Sequence, residues 1–233
     1  MAILHKHNPL LRDRLTKYVE SGNAEGLKSF MQSLTVSAFR TSGYLLAEEV
    51  LVKADNDIFW QLFITLVPTN AKAYLGTFLK AAVALYKVHK LELNVEVLRT
   101  FSQYCSSIDR KKILEAFLPC LLSHVEVKNL LNSLECDTED NKPMTYMCLL
   151  RSQTLPCYYE LFLWLNVDNN TAQTRQCIMH LIRMNTPMAY KMASLLKSYF
   201  DIENVPVTFS LNIESYQLSR LDQGYDKFKK MLS

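Results

Sequence analysis

The sequence predicts an all-α protein, and three observations carry that expectation. Only five glycines occur in 233 residues. The turn dipeptides that punctuate hairpin-rich β proteins are missing, and apolar residues recur at spacings of three and four almost throughout. With 49% hydrophobic, 11% aromatic and 21% charged residues, the chain can bury a substantial core.

The helices are delimited by short breaks carrying cap residues. These are Asn8-Pro9, Ser21-Gly22-Asn23, Asp55-Asn56-Asp57, Pro68-Thr69-Asn70, Ser106-Ser107, Cys136-Asp137-Thr138, Asn141-Lys142-Pro143, Asp168-Asn169-Asn170 and Asn185-Thr186-Pro187. Asp, Asn, Ser and Thr accept bonds from the free amides of a helix start, and proline fits the first turn because its missing N–H costs nothing there. The breaks yield roughly eleven helices. One stretch departs from this pattern. In residues 204–216, Val207, Phe209, Leu211 and Ile213 alternate with polar residues at the period of a strand. Pro206 favours an edge position, so an extended arm covering the last helices is expected, with helical spacing resuming from Tyr216 to Leu232.

The chain also resembles itself. "NKPMTYMCLL" from Asn141 and "NTPMAYKMASLL" from Asn185 share Asn-x-Pro-Met-x-Tyr at an offset of 44 residues, and "TNAKAYLGTFL" from Thr69 is a third relative. A tyrosine thus recurs as Tyr74, Tyr146 and Tyr190. "IFWQLFITLVPTNAKA" from Ile58 matches "CYYELFLWLNVDNNTA" from Cys157 in its order of aromatic, polar and aliphatic residues. These matches predict antiparallel helical hairpins at 56–88, 93–122, 124–152 and 154–184, within a single domain 1–233. Capping helices occupy 1–54, degenerate hairpins 56–200, and the arm plus terminal helix 201–233.

In general shape this arrangement resembles the α-solenoid class. Its period is closer to HEAT-like than to tetratricopeptide repeats, whose Trp-Leu-Gly pattern the sequence lacks. The resemblance covers residues 36–200 and is architectural. It implies an α-α superhelix, a right-handed solenoid of antiparallel helical hairpins with a short extended C-terminal arm. The competing reading is an irregular all-α globule whose apolar helices resemble one another by composition.

Recognisable chemistry is sparse. GxGxxG, GxxxxGK[ST], GxSxG and HExxH are absent. His5, His7, His89, His124 and His180 are dispersed and expected at the surface, and "SLECDTEDNK" lacks the fixed positions of a calcium loop. No cofactor or metal is expected, and the balance leans against an enzyme without deciding it. The six cysteines form no CxxC pair and lie mostly in apolar helical stretches, so reduced, structural thiols are expected. A net charge of +3 selects no partner. The N-terminal apolar run is too short for a secretory signal and no segment is long enough to span a bilayer, so a cytoplasmic chain without membrane partners is expected.

Basic clusters supply the candidate binding residues. Arg110, Lys111 and Lys112 open one helix, Arg12, Arg14 and Lys17 lie in the first, and Lys227, Lys229 and Lys230 end the chain. Such clusters read first as solubilising faces. Set on one surface with Trp60 or Trp164 and an acid such as Asp57, they would suit nucleic acid, because HEAT-like DNA glycosylases combine an aromatic, a carboxylate and an arginine. The leading expectation is a non-catalytic scaffold that binds a protein through the exposed face of stacked hairpins. The alternative is a nucleic-acid-binding protein or DNA-repair glycosylase on the same scaffold.

Overall fold

The computed structural model describes residues 9–33, 47–68 and 71–203. Every regular element among them is helical. In order they are α1 (Pro9–Glu20), α2 (Ala24–Gln32), a helical stretch at 47–51, α3 (Asn56–Leu66), α4 (Ala71–Lys87), α5 (Val95–Ser102) and α6 (Ser107–Phe117). A 3-10 turn (Leu118–Cys120), α7 (His124–Ser133), α8 (Lys142–Ser152), α9 (Leu155–Asp168), α10 (Thr171–Met184) and α11 (Pro187–Tyr199) follow. The expected arm at 204–216, the terminal helix, His5, His7 and Lys227, Lys229 and Lys230 lie outside the described residues. No described helix is long and apolar enough to cross a membrane.

The cap residues act largely as the sequence suggests. Asn23, Ser106, Asn170 and Thr186, and also Asn94, which the sequence breaks do not include, each accept a backbone N–H from the first turn of the helix they precede, a bond worth about 1 kcal/mol per helix, whereas Asp55 precedes α3 without a side-chain cap bond. Ser106 and Asp109 complete a reciprocal capping box at the start of α6.

The chain divides into two compact units. One comprises Met1–Cys120 with Asn129–Cys136, the other Leu121–Lys128 with Asp137–Ser233. In the first unit α3 is central, packing against α1, α2, α4 and α5. Phe59, Trp60, Leu62, Phe63 and Leu66 are all buried, which is why this helix is apolar around most of its circumference. Phe63 meets Trp60, Phe78 and Phe101 edge to face, with centroids 5.4, 5.7 and 5.2 Å apart, tying α3 to α4 and α5.

The second unit has a shorter period than the sequence suggests. The joints between α8, α9, α10 and α11 are the dipeptides Gln153-Thr154, Asn169-Asn170 and Asn185-Thr186, each a left-handed residue followed by an extended one. Positive φ recurs at Gln153, Asn169, Asn185 and Asp201, at a constant spacing of 16 residues. Burial follows the same spacing, since Thr145, Leu161, Cys177 and Ala193 are all buried, as are Leu149, Leu165 and Leu181. α8 packs closely against α9 and α10, and α10 against α11. The close α8–α9 and α10–α11 pairs therefore fall across the boundaries expected from the offset of 44. The recurring tyrosines also differ, because Tyr74 and Tyr146 are buried while Tyr190 is half-buried.

Two side-chain arrangements in this unit lead to predictions. Lys142 Nζ donates to Asp168 Oδ1 at 2.7 Å and the Tyr146 hydroxyl donates to Oδ2 at 2.6 Å. Burial alone would raise the Asp168 carboxyl, but these two bonds outweigh it and hold the group below its ordinary value. Burial, then the Asp168 bond, pushes the Tyr146 phenol up. A depressed carboxylate stabilises the fold above its ordinary pKa, near ~4, and loses that contribution as pH falls through the folded value. Asp168→Asn is therefore expected to destabilise the protein at pH 7, with the gap from wild type closing below about pH 4 in urea titrations.

The second is an orphan. The Tyr158 hydroxyl is buried in α9 with no hydrogen-bond partner. An unsatisfied buried hydroxyl costs roughly 1–3 kcal/mol, so Tyr158→Phe is expected to leave stability unchanged or raise it. A raised or equal thermal midpoint supports this, and a loss of more than about 1 kcal/mol would show that the hydroxyl is satisfied.

Candidate functional site

The candidate residues from the sequence fall into distinct environments. Arg110 is a clamp within the first unit. Its Nε donates to the Leu134 carbonyl at 2.8 Å, Nη1 to Cys105 at 2.9 Å and Nη2 to Ser102 at 2.9 Å, with Glu135 at 3.7 Å. The side chain is 12% exposed, so the guanidinium is committed to the protein itself. Lys111 is exposed and lies 3.8 Å from Glu115, and Lys112 is exposed. Trp60 is 2% exposed and its indole N–H donates to the Glu92 carbonyl at 2.9 Å. It is a core residue and offers no face on which a base could stack. Arg12 pairs with Glu49 at 2.8 Å, and Arg14 donates to the Tyr18 hydroxyl at 3.0 Å.

Trp164, in the second unit, belongs to a small polar cluster. Its indole N–H donates to Glu160 Oε1 at 2.8 Å, while His124 Nε2 lies 2.7 Å from Glu160 Oε2. The Glu160 side chain is 6% exposed, and the His124 ring meets Tyr159 edge to face at 4.7 Å. Both carboxylate oxygens are thus occupied, and the cluster ties α7 to α9 rather than presenting a free acid. The expectation of surface histidines holds for His89, which is exposed, and is corrected for His124, half-buried by this bond, and His180, half-buried on α10.

The arrangement left over is a recess on α8 and α10. Met147 from α8 and Arg175, Gln176, Met179, His180 and Arg183 from α10 line an open volume of about 480 Å³. Local sequence explains why this face is outward. Asn170 caps α10 through the Gln173 amide, and Thr174, Cys177, Ile178 and Leu181 form the buried stripe. The lining residues fall on the opposite stripe. Arg175 and Arg183 are exposed and form no ion pair among the described residues. Burial, then the positive charges of Arg151 and Arg183, hold the His180 imidazole below its ordinary value. Cationic groups flank thioether side chains, a surface suited to a ligand that is anionic and partly apolar.

Among the described residues no three His, Cys, Asp or Glu side chains converge as a metal centre would require. All six cysteines are free. Burial raises the Cys105 thiol to about 12 and the Cys177 thiol to about 11, far from the thiolate a nucleophile needs. Comparison with known protein families, curated proteins and solved structures finds no match.

Sequence reasoning missed Arg175, Met179 and Arg183. The signal was present as three residues four apart on one helix face, opposite an apolar stripe.

Proposed function

We propose that this chain is a non-catalytic interaction module that binds another protein through the outward faces of the helices in its second unit. The observation that carries this reading is the repeated joint, with left-handed residues every 16 positions and the same positions buried in successive helices. Helices joined identically and buried on the same side present their remaining faces in a common phase, which is how stacked helical arrays build binding surfaces. On this reading the unit is a solenoid in the HEAT-like sense. The six free thiols support a reducing compartment, the cytoplasm. The nucleic-acid alternative drew part of its support from Trp60, which the core absorbs.

Display of random peptides against the full chain tests this reading. Selected peptides are expected to lose binding when outward residues of α8 to α10 are substituted. Failure to select any peptide, together with salt-sensitive retention of duplex DNA at low ionic strength, would overturn it in favour of nucleic acid.

A further inference from the structure

We infer that the recess on α10 takes an extended acidic peptide of the pattern acid-x-apolar-x-acid, with its acids on Arg175 and Arg183 and its apolar residue between Met179 and Met147. This rests on the protein-binding reading above and names the chemistry of the partner.

The argument is one of matching intervals. Arg175, Met179 and Arg183 are four residues apart on one helix, so successive members stand about 6 Å apart along the axis. In an extended peptide, alternate side chains share a face and recur every ~6.6 Å. An acid, an apolar residue and a second acid at alternate positions therefore meet an arginine, a methionine and an arginine in step. A helical ligand keeps a similar interval only at every fourth residue, and the recess, about 480 Å³ and open, offers one short row of contacts rather than a long trough.

Charge supports the same occupant. The two arginines are exposed and without ion-pair partners among the described residues, so they bring an unspent planar fork to each end of the row. Met179 is half-buried between them and Met147, also half-buried, joins the lining from α8. Thioethers adapt their shape to a range of apolar side chains, so the central residue is restricted in polarity more than in size. A nucleic acid would place phosphates near the arginines but would leave the methionines facing sugar or base edges, and the lining offers a single imidazole, His180, with no Phe, Tyr or Trp on which successive bases could stack.

The test uses the full chain labelled at its methionine methyl groups and observed by NMR, which detects even millimolar binding. The probe is a peptide with the core Glu-Thr-Leu-Thr-Glu between neutral flanks, and the control has the core Glu-Glu-Thr-Thr-Leu. The patterned peptide is expected to shift the Met147 and Met179 signals, with the control at least about fivefold weaker and R175Q/R183Q at least about tenfold weaker. Both arginines are exposed, so that variant is expected to keep the wild-type melting temperature. Unshifted methyl signals, equal binding of the two peptides, or full binding by R175Q/R183Q overturns the inference, as does an oligothymidylate that shifts the same methyls more strongly. Display-selected peptides that map away from α10 would remove this site while leaving protein binding intact. Selection of no peptide at all, together with salt-sensitive retention of duplex DNA at low ionic strength, would remove both.

Discussion

Arg110→Ala is expected to destabilise the first unit by about 3–5 kcal/mol. The side chain donates to the carbonyls of Ser102, Cys105 and Leu134, at the end of α5, in the α5–α6 connection and just beyond α7. Truncation leaves three carbonyls without that donor, and each hydrogen bond to a charged group is worth roughly 1.5–3 kcal/mol, partly recovered by water. Arg110→Lys is expected to recover less than half, because one ammonium cannot span three acceptors held by a planar fork. Urea denaturation followed by Trp60 fluorescence in a Trp164→Phe background reads this unit. A loss below about 1 kcal/mol for Arg110→Ala would contradict the clamp.

Glu160→Ala is expected to cost the second unit about 2–4 kcal/mol, since it strands the indole N–H of Trp164 and the ring nitrogen of His124. The asymmetry of buried polar pairs makes a sharper test. Removing one partner is costly, whereas replacing both by apolar groups of similar shape is close to neutral. His124→Leu combined with Glu160→Leu and with Trp164→Phe, which removes the third partner of the cluster, is therefore expected to be less harmful than Glu160→Ala alone. Additive losses in the mutant cycle would show that the cluster is not a coupled unit.

Helix starts were legible in the sequence, and the ends expected at 88, 152 and 184 fall within a residue of Lys87, Ser152 and Met184, but the left-handed backbone that marks the ends was not legible, for a physical reason. Asn23, Ser106, Asn170 and Thr186 are side chains whose oxygens cap amides, so residue type reveals position. Helix ends usually declare themselves by glycine in the left-handed region. Here that region is held by His89, Glu135, Gln153, Asn169, Asn185 and Asp201, and Gly22 is the only glycine with positive φ among the described residues. The period of 16 residues lives in backbone angles and burial, which Leu161 and Cys177 share without resembling each other in type. The offset of 44 residues, by contrast, lives in letters, Asn-x-Pro-Met-x-Tyr, whose tyrosines reach different depths.

Two of the candidate binding residues are engaged inside the protein, for a related reason. Charge suggests exposure and aromaticity suggests a platform, yet Arg110 serves carbonyls inside the protein and Trp60 fills the core. A guanidinium that satisfies backbone acceptors, or an indole that finds a distant carbonyl, depends on contacts between residues far apart in the chain, such as Trp60 with Glu92. Periodicity within one helix carries no trace of them. Arg175, Met179 and Arg183 were legible as a row, but only the absence of ion-pair partners set that row apart from ordinary solubilising charge.

The evenly spaced joints give the second unit a reading frame of its own. Each residue inserted within α9 or α10 rotates everything beyond it by about 100°, turning a buried stripe such as Thr174, Cys177, Ile178 and Leu181 toward water. A whole module of 16 residues, added or removed at a joint, keeps the phase of every later helix. The unit is therefore expected to tolerate changes of length in whole helices and to resist changes of one or a few residues within a helix.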